Sequence, residues 1–164
     1  MNRREWWMLE DAATVIESIL QKAKPSYGDV VVARVDADSQ DVVGTHIIEQ
    51  KVPFPTEWSV PGIDSSVSEA FCEAAHELAP PHVWSKTRGG GLTAVFITVV
   101  CREGRAIDSR DEWTCIRDWR YSNHLRDGFD GDVYVVTPHG WAGLMDRRAG
   151  HHPRLVQQPR LRAV

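Results

Sequence analysis

Three cysteines and seven histidines among 164 residues are the side chains best suited to nucleophilic or metal chemistry. Cys72, Cys101 and Cys115 sit inside apolar segments without C-x-x-C spacing. That pattern argues against a disulfide framework or a zinc ribbon. The histidines are scattered, with no H-x-H or H-x-x-x-H, whereas a zinc site needs three or four convergent ligands. His151-His152 would attract only stray metal. His124 and His139 flank a predicted strand and could approach one another. Cys101 ends an apolar run, a place where α/β proteins put reactive groups, and Arg102 beside it would favour a thiolate. No Ser-His-Asp order and no G-x-S-x-G is visible. In Trp119-Arg-Tyr-Ser-Asn-His124, Tyr121, Asn123 and His124 cannot all face a core. They cap the following turn, pack, or line a pocket. Cys101, Arg102, Tyr121, Asn123, His124 and His139 therefore make up the candidate pocket. Gly89-Gly90-Gly91 precedes a strand rather than a helix and has no following Gly-Lys-Ser/Thr, so it reads as a hinge rather than a phosphate cradle.

These residues depend on the stretch from Leu92 to Gly140. Leu92 to Cys101 is a near-continuous apolar, β-branched run, the composition of a strand buried on both faces. Ser109-Arg-Asp-Glu112 has capping-box spacing and should start a helix running to about Leu125. Asp130-Gly131 should turn the chain into a second strand, Asp132 to Thr137. Strand, capped helix and strand make a βαβ-like unit at the centre of a sheet.

Upstream, Asn2 to Glu5 offers a cap. Trp6, Leu9, Ala13, Ile16 and Leu20 then fall on one helical face, and Pro25 ends the helix. Asp29 to Asp36 and Val42 to Glu49 read as an antiparallel hairpin. Lys51 to Ile63 is Pro-rich and should be an extended loop pinned by Trp58. Ser66-Val-Ser-Glu69 is a second capping box for a short helix that stops at Pro80-Pro81, and Trp84 should anchor the connector that follows. The fold class is α/β (α+β), a mixed central sheet flanked by helices in one domain, residues 1–146, followed by a basic tail, 147–164.

The length suits one core, and the composition is ordinary apart from seven Trp. A net charge of −4 excludes a nucleic-acid binder that relies on overall charge. The charge is uneven, however. Arg147, Arg148, Arg154, Arg160 and Arg162 lie in the tail, which holds no acid, and they could neutralise several phosphates. No apolar run approaches a membrane span, and Glu10 and Asp11 interrupt any signal-peptide core, so a cytoplasmic protein without membrane contact is expected.

The element order and Ser109 together resemble the JAB/MPN domain of cytidine-deaminase-like architecture, particularly its bacterial RadC-like branch, over roughly Asp29 to Met145. In that family a strand runs into H-x-H-P, followed after a short loop by S-x-x-D. The His pair and the Asp bind zinc, and an upstream Glu activates water. Placing the family Ser on Ser109 puts Glu112 at the Asp position and Val99 and Cys101 at the His positions. Arg102 then replaces the Pro, and Asp29 is the nearest acid to the missing Glu. Val99 cannot ligate a metal. The resemblance therefore implies a degenerate member with no zinc, no other cofactor and no hydrolase activity.

Three functions follow as expectations. The first is a non-catalytic binding or interaction domain, with a protein partner or a homodimer. The second is a small-molecule enzyme with a site near Cys101 and His124. The third is a nucleic-acid-associated protein that uses its Arg-rich tail. Convergence of Cys101, Asn123, His124 and His139 would favour the second, and their dispersal the first.

Overall fold

The β-branched run Ala94–Cys101 is buried at every position, as a strand covered by helices on both faces requires. A computed structural model describes residue 5 and residues 7–48, 65–83 and 91–156, with side chains from Ser68 onward in the third of these stretches. In chain order the elements are α1 (Ala12–Ala23), β1 (Val30–Asp36), β2 (Val42–Ile48), α2 (Ser65–Leu78), β3 (Ala94–Cys101), α3 (Arg110–Ser122), β4 (Phe129–Thr137), β5 (Gly140–Gly143) and β6 (Ala149–Gly150). The strands form one mixed sheet in the order β2-β1-β3-β4-β5-β6. β3 and β4 are parallel, as their crossover through α3 demands, and the other neighbours are antiparallel. This is a single α/β domain.

One sheet face is covered by α1. Leu9, Ala12, Val15, Ile16 and Ile19 pack with Val31, Ala33, Ile97, Val99, Tyr134, Val136 and Trp141. The other face is covered by α2 and α3, whose Phe71, Ala74, Ala75, Cys115 and Trp119 meet Val30, Val32, Phe96, Val100 and Val133. Ser109 caps α3 as its spacing predicts, with the complete capping box to Glu112. Among the described residues no helix is long and apolar enough to cross a membrane.

Four expectations are corrected. First, Trp7 to Glu10 is not helical. α1 starts at Ala12 because the Asp11 carboxylate accepts the Thr14 N–H and hydroxyl at 3.1 and 2.7 Å. Second, α2 starts at Ser65, so Ser66 lies inside the helix rather than at its cap. Third, Asp130-Gly131 lies inside β4 rather than in a turn before it. A β-carbon on Gly131 would collide with the Val95 side chain and the Phe96 carbonyl, so the glycine permits close approach of β4 to β3 where their register shifts. Fourth, the boundary at 146/147 falls inside the fold. β6 pairs with β5, the Leu155 N–H donates to the Thr137 carbonyl, and Leu155 is buried in the α1-side core. Residues 147–156 lack apolar bulk of their own but share the core of the sheet. Trp58, Trp84, Gly89 and Gly90, with the readings placed on them, lie outside the described residues, as do the whole Pro-rich stretch from Lys51 to Ile63 and the cap read at Asn2.

Candidate functional site

The carboxyl ends of β3 and β4 lie on one edge of the sheet, together with the N-terminus of α3, where α/β folds place ligands. Three of the candidate pocket residues are here. Cys101 is fully buried. Burial, with the Asp29 carboxylate nearby, pushes its thiol up to about 12, the opposite of nucleophilic activation. Arg102 does not offset this, because its guanidinium turns towards α3. Its Nε donates to Glu112 Oε1 at 2.9 Å, and its terminal nitrogens donate to the carbonyls of Glu103, Arg105 and Ile107. His139 is exposed in the turn between β4 and β5.

Glu112 is the chemically notable group, a carboxylate only 1% exposed. Its Oε2 accepts from the Ser109 N–H and from the Ser109 hydroxyl, each at 2.6 Å, and its Oε1 is held by Arg102. Asp111 next to it has its carboxyl raised, chiefly by burial and then by the Glu112 charge. The cation serving this buried carboxylate is thus the chain's own arginine.

Tyr121, Asn123 and His124 lie at the opposite edge, because α3 runs back along the sheet. His124 packs edge-on against Phe96 and Trp119. Phe96 is five residues from Cys101 along β3, on the order of 17 Å at strand rise. The predicted convergence of Cys101 with His124 is therefore not formed, and strand direction is the reason. His124 Nδ1 accepts the Arg126 N–H at 3.0 Å, and Nε2 lies 2.8 Å from Asp130 Oδ1. A neutral ring with its proton on Nε2 satisfies both bonds. Asn123 adopts the left-handed conformation that ends α3, at φ 46°, and Tyr121 is exposed. The capping and packing alternative accounts for Asn123 and His124.

The tail arginines are also divided. Arg148 is bound into the fold, with its side chain donating to Asp146 Oδ2 at 2.8 Å and to the carbonyls of Leu9 and Glu10. No motif in the sequence announces this network. Tyr134 donates to the same Asp146 oxygen at 2.6 Å, and buried Asp132 accepts the Val133, Met145 and Asp146 N–H groups. Burial raises the Asp132 carboxyl, and burial with the Asp146 bond raises the Tyr134 hydroxyl. The available signal was Asp132 two residues before Tyr134, on one face of β4. Arg147 and Arg154 are exposed, while Arg160 and Arg162 lie outside the described residues. Two shallow recesses, about 380 and 470 Å³, flank the start of α1, and none of the six candidate pocket residues lines either.

The chain matches no protein-family model, no curated protein and no solved structure. The surface itself carries the remaining information. On α3, Trp113 and Tyr121 are 46% and 53% exposed beside exposed Arg117 and Arg120. These are the residue types that dominate binding energy at protein interfaces.

Proposed function

We propose that this chain is a non-catalytic interaction domain, related to the JAB/MPN domain but with its zinc motif degenerate. The observation that carries the reading is the outward face of α3, where Trp113 and Tyr121 stand exposed among arginines. The element order on which the resemblance rests is present from α1 to β4.

The residues at the implied zinc site do not fit a metal. Val99 has no donor atom, the Cys101 thiol is buried and held protonated, and both Glu112 oxygens are already engaged. Asp29, nearest in place to the missing water-activating Glu, accepts the Ser26 N–H at 2.7 Å. Among the described residues no three His, Cys, Asp or Glu side chains converge on a metal-sized space. An Arg–Glu pair stands where the family needs a cation and its ligand.

The test is to incubate the purified chain with excess zinc, desalt it, measure bound metal and assay isopeptide-linked substrates. Zinc well below one equivalent and no turnover above buffer are expected. About one tightly held zinc per chain, with hydrolysis abolished by a chelator, would overturn the reading.

A further inference from the structure

The exposed surfaces of α2 and α3 carry opposite charge. On α2, Glu69, Glu73 and Glu77 are exposed at i, i+4 and i+8, and the helix contains no Lys or Arg. On α3, Arg117 and Arg120 are exposed with Trp113 and Tyr121, whereas Glu112 and Asp118 are buried and Asp111 is half-buried. Among the described residues, Glu69, Glu73 and Arg120 form no ion pair.

The helices run in the same direction. Phe71 packs on Trp119, and His76 Nε2 lies 3.1 Å from the His124 carbonyl, so a step along α2 matches an equal step along α3. That register sets Glu69 level with Arg117 and Glu73 level with Tyr121, one residue beyond Arg120. A two-fold axis parallel to the helices, in the plane of their outer face, keeps these levels and lays α2 over α3 of a second copy. An axis perpendicular to the helices lays α2 on α2 and α3 on α3, like charge on like charge.

We propose that this two-helix face is a homodimer interface, with the acidic stripe of α2 against the arginine-aromatic stripe of α3 in the second copy. The proposal rests on the interaction-domain reading. It is self-complementary, as an isologous contact must be. Its pairs are Glu69 with Arg117 and Glu73 with Arg120, and Trp113 and Tyr121 supply the apolar burial. Helices of 14 and 13 residues give a patch about 20 Å on a side at ~1.5 Å per residue and ~10 Å between axes. That is the small end of specific interfaces, so association should depend on concentration and weaken with salt.

Sedimentation velocity of the full chain over a hundredfold concentration range reads this directly. Arg117 is left unchanged because it also pairs with buried Asp118 at 3.2 Å. Glu73→Arg and Arg120→Glu each alter an exposed position, and each change occurs twice in the dimer, so either variant should associate about tenfold more weakly or worse. Circular dichroism melts check that both variants stay folded. An equimolar mixture of the two should regain association, because every altered contact then meets its opposite charge. A parent that stays monomeric throughout, variants that associate like the parent, or a mixture that gains nothing overturns the proposal. So does a monomer that binds single-stranded nucleic acid through α3. None of these results bears on the zinc and turnover measurement, whose positive outcome overturns the interaction-domain reading whatever the association state.

Discussion

Replacing Arg102 by Met keeps the aliphatic stem and removes the guanidinium. Four contacts go: the 2.9 Å bond to Glu112 and the bonds to three carbonyls of the loop before α3. The carbonyls belong to exposed residues and regain water, so their loss costs little. Glu112 cannot do the same. It keeps its two bonds from Ser109, but its charge is left uncompensated in a buried position. Removing one partner of a buried pair typically costs about 3–5 kcal/mol, and the surviving Ser109 bonds place this case near ~3 kcal/mol. Glu112→Gln removes the charge but keeps an acceptor for the cap, at about 1–2 kcal/mol. The double variant buries no charge and should cost about 2 kcal/mol, well below the sum of the singles, a coupling of about 2 kcal/mol. Urea unfolding followed by Trp fluorescence, with unchanged m-values, measures all three. Strictly additive effects, or Arg102→Met costing less than about 1 kcal/mol, would refute the account of a buried carboxylate neutralised by its own chain.

Two further outcomes follow. The folded Cys101 thiol is raised from 9.0 to about 12, so only the unfolded thiol ionises in that window. Stability should be fully present below pH 9 and fall by about 1.4 kcal/mol per pH unit as pH rises towards 12, and Cys101→Ala should remove this share of the slope; an unchanged slope in chemical-denaturation series counts against it. Leu155→Ala should cost about 2–3 kcal/mol, because Leu155 is 7% exposed in the α1-side core, and a melting temperature equal to the parent's would mean that residues 151–156 are not part of the fold.

What the sequence revealed of this molecule was local or periodic. β3 was legible because an unbroken β-branched run suits a strand covered on both sides, and α3 because the capping-box spacing of Ser109 and Glu112 follows a polar loop, whereas the same spacing at Ser66 and Glu69 falls inside α2. The hairpin was legible from two β-branched runs separated by a short polar turn. The start of α1 was not, because the apolar periodicity runs on upstream through Leu9, and it is the Asp11 side chain, bonded to Thr14, that sets where the helix begins. Gly131 was misread because a glycine after Asp suggests a turn as readily as a close approach between strands. The candidate pocket failed for a geometric reason. Cys101 and His124 are neighbours on paper, but a helix running back along the sheet carries them to opposite edges. Arg148 was assigned to the basic tail because its partners, Asp146 and the carbonyls of Leu9 and Glu10, include atoms far away in the chain that no motif spells out.

The Arg148 bridge to the carbonyls ahead of α1 also sets an order of assembly. During synthesis, α1 and the β1–β2 hairpin it packs on emerge first, while Tyr134, Val136, Trp141 and Leu155, which share their core, come late. The lock from Arg148 to Leu9 spans 139 positions. α1 can therefore cover the hairpin early, but the residues just ahead of it cannot be locked until nearly all the described chain has been made, and such long-range closure is slow. The nascent chain should protect α1 against the hairpin first, and the segment ahead of α1 only when β5 and β6 arrive.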